Sequence, residues 1–324
     1  MSLTTTAPSA TAAPATVAAR RRPAKRGTAT PWGFLAPALI LFAAFLAAPI
    51  VYAAYLSLRK VKVSGLGLGS KARTEIWAGL DNYSRSLTDP DFLPSVGRIG
   101  MYGLIVVPIM LGLALLFALL LDANRTRESI GRFARISIFL PYAVPAVVAS
   151  LLWGFLYLPR VSPITDAFEA LGVTAPNLLS SSLTIWAVAN IAIWGGTGFN
   201  MIVIYTALKA VPTSLYESAR IDGASEVAIA WRIKIPIVLP SLIMTFVFSL
   251  IATLQVFAEP MTLRPLANTI STTWTPLMKV YRDAFTRNDI YAAAATSVII
   301  ALATFIVSFG FLKLVGRRAF NQED

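Results

Sequence analysis

The chain has 324 residues, 56% of them hydrophobic and only 14% charged, with a mean hydropathy of +0.67. That is too apolar for a water-soluble domain of this length, so the composition is that of an integral membrane protein. The net charge of +12 reads as topology and contact with anionic lipid, which excludes nucleic acid as the expected partner. The absence of Cys and His removes thiol and imidazole metal ligation, haem attachment and a histidine proton relay.

In chain order, residues 1–31 are rich in Ala, Thr, Pro and Arg without apolar period, and read as a disordered basic tail. A cleaved signal peptide fits poorly: the apolar run from Phe34 continues to Leu58, and Pro49 follows the Ala pair where cleavage would fall. Six apolar runs follow, Gly33–Leu58, Ile99–Leu121, Ile138–Leu158, Leu183–Leu208, Ile237–Ala258 and Ala292–Val315. Each is long enough to cross roughly 30 Å of hydrocarbon as a helix. Barrel strands are shorter and alternate in hydrophobicity, so the runs predict an all-α membrane protein with six transmembrane helices over residues 32–318 and a short tail, 319–324. Trp32, Tyr52, Trp153, Tyr157 and Trp186 stand near run ends, as interfacial aromatics do.

Basic residues set the orientation. Arg20, Arg21, Arg22, Lys25 and Arg26 precede the first span; Arg125, Arg127, Arg132 and Arg135 follow the second; Lys209, Arg220, Arg232 and Lys234 follow the fourth; Lys313, Arg317 and Arg318 end the sixth. Both termini are therefore expected on the cytoplasmic side, with Arg59, Lys60 and Lys62 pulling the other way.

The spans predict no intramembrane ionisable core: Glu259 and Lys313 stand only at edges, and the outer Asp81, Asp89 and Asp91 read as solvated loop carboxylates. Proton-driven carriers keep ionisable groups on the pathway, so an ion-coupled secondary transporter is the weaker reading. A membrane enzyme lacks converging catalytic groups. The Gly65, Gly67, Gly69 stretch is no phosphate loop, because Ser70 separates Gly69 from Lys71 and no Ser or Thr follows the Lys. Energy for any transport is then expected to come from elsewhere.

The segment that can receive it is Tyr216–Pro240, YESARIDGASEVAIAWRIKIPIVLP, whose charges cannot sit in hydrocarbon. Thr213 or Ser214 is expected to cap a short helix carrying Glu217, Gly223 to break it, and Ser225 and Glu226 to start a second one that Pro236 and Pro240 close at the membrane surface. The product is a polar knob within a loop spanning 209–240.

At these residues the chain resembles the permease subunits of binding-protein-dependent ABC importers, whose signature is Glu-Ala-Ala, three residues, Gly, nine residues, then Ile-x-Leu-Pro. Here Glu217-Ser218-Ala219 is followed at those spacings by Gly223 and by Ile233-Lys234-Ile235-Pro236, with Asp222 and Ala224 completing Asp-Gly-Ala. Gly79-Leu80-Asp81-Asn82-Tyr83 and Arg135 to Trp153 resemble elements of the carbohydrate branch, that of the maltose and glycerol-phosphate permeases. The resemblance implies the type I ABC importer permease fold and a non-catalytic subunit whose knob docks on ATPases. It also implies ATP and Mg held by two separate ATPase subunits with no cofactor on this chain, a second permease subunit, and an extracytoplasmic solute-binding protein that delivers a sugar. In spans four and five, Asn190 and Trp194, one turn apart, with Asn200, Thr253 and Gln255, offer amides, hydroxyls and a ring suited to an uncharged sugar.

Overall fold

The computed structural model describes residues 29–63, 73–123, 128–159 and 161–319, with side chains from 32 to 314. The basic tail before residue 29, the Gly65-Gly67-Gly69 loop, Arg125, Arg127, Arg160 and residues 320–324 lie outside the described residues. The chain divides into two units, residues 1–50 and 51–324.

Among the described residues five helices are long and apolar enough to span a membrane, and a sharply bent pair makes a sixth. They are α1 (Trp32–Ser57), α3 (Phe92–Asp122), the pair α4 (Glu128–Phe139) and α5 (Ala146–Tyr157), α7 (Thr184–Lys209), α9, and α12 (Ile290–Ala319). Helix α9 starts at Glu226, passes a π turn at Ala230–Lys234 and continues as Ile235–Leu254. Short helices fill the connections: α2 (Asp81–Leu87), α6 (Pro163–Ala170), α8 (Thr213–Ile221), α10 (Ala258–Leu263) and α11 (Pro276–Tyr281).

The third span departs from the continuous helix expected over Ile138–Leu158. Segments Glu128–Ala143 and Ala146–Tyr157 meet at 99°. Pro141 and Pro145 explain the corner: a proline supplies no N–H, clashes with the preceding turn, and drives the residue before it toward extended backbone. Val144 accordingly has φ −80° and ψ 125°.

Two other prolines are absorbed without a break. Pro49 and Pro236 each stand two residues beyond a π turn, at Ala43–Ala47 and Ala230–Lys234. A wider turn accommodates the carbonyl that the proline leaves without a donor. This corrects the expectation that Pro236 and Pro240 close the knob; α9 runs through both.

The fold is mainly helical, with one ribbon that the sequence reading missed. Strands β1 (Arg59–Val63) and β2 (Arg73–Trp77) pair antiparallel, Arg59 opposite Trp77 and Val63 opposite Arg73. The Gly-Leu-Asp-Asn-Tyr element beside it clasps the end of α1. Gly79 takes φ +56°, and buried Asn82 donates from Nδ2 to the carbonyls of Ser57 (2.8 Å) and Arg59 (2.6 Å).

Helices in lipid gain little from hydrophobic exclusion, so small residues that admit close backbones hold the bundle. Helix α7 is the hub. A Cβ on Gly198 would stand 2.2 Å from the Ile138 carbonyl oxygen at the α4 corner, and one on Gly196 would stand 2.4 Å from Met110 Sδ of α3. Fully buried Ala114 and Ala118 of α3 pack with Met201 and Ile204 of α7.

Candidate functional site

The knob is α8, a turn and the start of α9. Helix α8 begins one residue earlier than expected: Pro212 occupies the cap position, no side chain caps it, and Thr213 is already helical. Its other end is a Schellman closure. Gly223 takes φ +83°, its N–H reaches the Arg220 carbonyl (3.0 Å), and the Ala224 N–H reaches Ala219 (2.9 Å). Ser225 caps the next turn, its Oγ accepting from the Ala228 N–H at 3.3 Å. Val211, Tyr216 and Ile229 form a small core under Ala219, Ala224 and Ile233, so the knob is a folded body.

Its outer surface is mixed. Glu217, Ser218, Asp222 and Gly223 are exposed, and so are the apolar Ile221 (86%), Val227 (68%) and Trp231 (69%). Among the described residues, its two chain neighbours apart, nothing lies within 4 Å of the place a Gly223 side chain would occupy. Arg220 and Glu226 bridge the two arms at 2.7 Å.

Beneath the knob is a buried charge cluster that the sequence reading placed nowhere. Asp122, at the end of α3, has only 4% of its side chain exposed and pairs with Lys234 Nζ at 2.6 Å and Lys209 Nζ at 2.8 Å. Lys234 itself is 5% exposed and stands over the Tyr216 ring, 4.8 Å from its centroid. Burial pushes the Tyr216 hydroxyl above its ordinary pKa, and the Asp122 charge adds to that shift. One carboxylate therefore ties α3, α7 and the knob together. Its position directly after an apolar run made it look like an ordinary span-end residue.

A cavity of 840 Å³ lies in the bundle, walled by α3, the α4–α5 corner, α7, α9 and the residues after it. Three of the five proposed pathway residues, Asn200, Thr253 and Gln255, line it. The other two do not: Asn190 donates to the Tyr157 hydroxyl at 3.0 Å, and Trp194 packs edge-on against Trp153 with centroids 5.8 Å apart. Helical spacing put Asn190 and Trp194 on one face, but that face meets α5. Rings missing from the sequence reading stand in the wall instead, including Tyr142 stacked on Phe199 at 4.9 Å. Mostly apolar walls with a few polar groups are the usual chemistry of a small-molecule site.

The opposite end carries a second network. Lys279 pairs with Asp283 (2.5 Å) and Asp89 (3.2 Å), and Arg282 with Asp91 (2.7 Å) and Asp283 (3.0 Å). Asp89 and Asp91 are thus paired, which corrects their reading as merely solvated loop acids. Burial alone would raise the pKa of Asp89, but the Asp91 N–H, Lys279 and Arg282 outweigh it and hold the carboxyl below its ordinary value. Among the described residues no group of His, Cys, Asp and Glu could hold a metal ion.

A family model described as the binding-protein-dependent transport system inner membrane component matches residues 101–321. The sn-glycerol-3-phosphate transport system permease protein UgpA of Salmonella typhimurium is 28% identical over 291 residues, 89% of this chain and 94% of that protein. The UgpA of Agrobacterium fabrum gives the same identity over 95% of its length. In fold, a chain of a bacterial ABC transporter that imports the acidic polysaccharide alginate superposes with TM-score 0.75 at 18% identity, covering 91% of this chain and 96% of that one. A chain of the alginate transporter in complex with its oligosaccharide-bound periplasmic protein gives 0.77 over 89% and 94%.

Proposed function

The chain belongs to the binding-protein-dependent transport system inner membrane component family, and from that premise we propose that it conducts a sugar or related solute through an ATP-driven importer of the bacterial membrane. The observation that carries this reading is the knob: a folded, outward-facing body with a free surface around Glu217, Asp222 and Gly223, fastened to two bundle helices, α3 and α7, through Asp122. A body so exposed and so anchored is suited to receive a push and to pass it on.

In this mechanism the knob lies in the cytoplasm, with both termini, and docks on one of two ATPase subunits that hold ATP and Mg. Glu217 and Asp222 supply polar contacts at the docking surface and Ile221 and Val227 apolar ones. Gly223 keeps the turn narrow enough to enter a cleft, and Ala224 and Pro236 set the path of the chain back into the bundle. A second permease subunit completes the pathway, and an extracytoplasmic solute-binding protein delivers the solute. Closure of the ATPases moves the knob, and Asp122 carries that movement to α3 and α7, so the bundle switches access. Asn200, Thr253 and Gln255 meet hydroxyls, and rings of the wall meet the flat faces of the sugar.

The test is reconstitution. In proteoliposomes, the chain with its second permease, ATPases and binding protein takes up solute only when all four components and ATP are present. Uptake by the permeases alone, driven by an ion gradient, would overturn the proposal.

A further inference from the structure

Glu259 lies in α10, just past the break that ends α9, and lines the 840 Å³ cavity. It is the one charged side chain among the lining residues; the other polar groups there are amides, aliphatic hydroxyls and phenols. Among the described residues no Lys or Arg stands within ion-pair distance of it. The buried carboxylates Asp122 and Asp283 both have cations within 3.0 Å, which is how a bundle ordinarily settles a buried charge. An intramembrane carboxylate kept without a cation, and facing a cavity, marks a solute path. The expectation that Glu259 is only an edge residue is therefore replaced by a position on the cavity wall.

We propose that Glu259 is the charge filter of the pathway, accepting hydrogen bonds from the hydroxyls of an uncharged polyhydroxylated solute and repelling anionic ones. A carboxylate only accepts, so it suits hydroxyl donors, and the wall offers an anion no cation. The relatives named for sn-glycerol-3-phosphate and for acidic alginate carry anions; this wall is chemically unsuited to either. The inference rests on the cavity being the transport path.

The chain has no Cys, so its electrostatics can be read with one introduced thiol. Ala252→Cys and, separately, Ala192→Cys place it on the cavity wall. In the assembled importer each thiol is challenged from water with a cationic trimethylammonium-ethyl methanethiosulfonate and an anionic sulfonatoethyl one, with rates normalised to a free thiol. The expected result is a cation-to-anion rate ratio of about tenfold or more, lost in Glu259→Gln and reversed in Glu259→Lys. Equal rates without the Glu259 substitution, or a ratio that Glu259→Gln leaves unchanged, would overturn the filter while leaving the importer reading intact. No reaction with either reagent at both positions would overturn the pathway reading and the filter with it. Glu259→Gln is checked for yield and monodispersity, and the two reporters guard against a local fault at either.

Discussion

The two ends of the bundle solve the same problem, how to hold charge in a mostly apolar protein, in opposite ways. At the knob end one carboxylate, Asp122, serves two lysines from different elements. At the other end three carboxylates, Asp89, Asp91 and Asp283, surround Lys279 and Arg282, and most partners have a substitute. The first arrangement has no redundancy, so whatever moves Lys234 must move Asp122 and with it α3 and α7. The second is a cross-braced clamp that resists change. A transporter driven from one end needs that asymmetry: a single stiff link where force enters, and a tolerant frame where it does not.

The sharpest way to break the comparison is Asp122→Asn. It leaves Lys234 buried without a counter-charge, and removing one partner of a buried pair costs about 3–5 kcal/mol. Thermal unfolding in nanodiscs should show that loss, and it should exceed the loss from any single substitution at the opposite end. Asp283→Asn comes next, because Asp283 is only 3% exposed yet its neighbours keep Asp89 and Asp91; the expected cost is about 1–3 kcal/mol.

Acid provides a third test. Asp89 has its folded pKa depressed, so its contribution is fully present above the unfolded value, about 3.9, and is lost as pH falls through the lower folded value. Hydrogen exchange at α2 and α11 should therefore stay protected at pH 5 and rise only below about pH 4. The smallest effect is expected from Asp91→Asn, whose side chain is 48% exposed; exposed pairs contribute under about 1 kcal/mol. If Asp91→Asn were as damaging as Asp122→Asn, the contrast between a single link and a braced frame would fail.

The knob was largely legible in the sequence, because its determinants are local. A glycine two residues before a second cap fixes a left-handed turn, and the charges of Glu217 to Lys234 expel the segment from hydrocarbon. Five spans were legible for the same reason, being continuous apolar runs. The corner in the third span was not, although Pro141 and Pro145 were in plain view, since a run of apolar residues hides a break that costs no hydrophobicity. The cavity was legible only in part. Its wall collects residues from elements far apart in sequence, so Asn200, Thr253 and Gln255 fell on it while Asn190 and Trp194, with equally suitable chemistry, turned toward Tyr157 and Trp153. Asp122 was not singled out, and Glu259 was read as an edge residue, because each abuts the end of an apolar run, where a charge ordinarily meets solvent. The Thr213 cap failed because Pro212 already supplies the required backbone turn.

The central claim, that the knob is where the work of ATP enters, is tested most directly at Gly223. Its φ of +83° strains any residue that carries a side chain, Asn least, so Asn controls for that strain, while the open space around the position leaves room for the Trp ring until a partner arrives. In proteoliposomes holding the complete importer, uptake and ATP hydrolysis stimulated by the binding protein are measured together for Gly223→Asn and Gly223→Trp. The account predicts coupled uptake within a few-fold of the unsubstituted importer for Asn, and loss of uptake with correct membrane insertion for Trp. Normal uptake and normally stimulated hydrolysis in Gly223→Trp would contradict it.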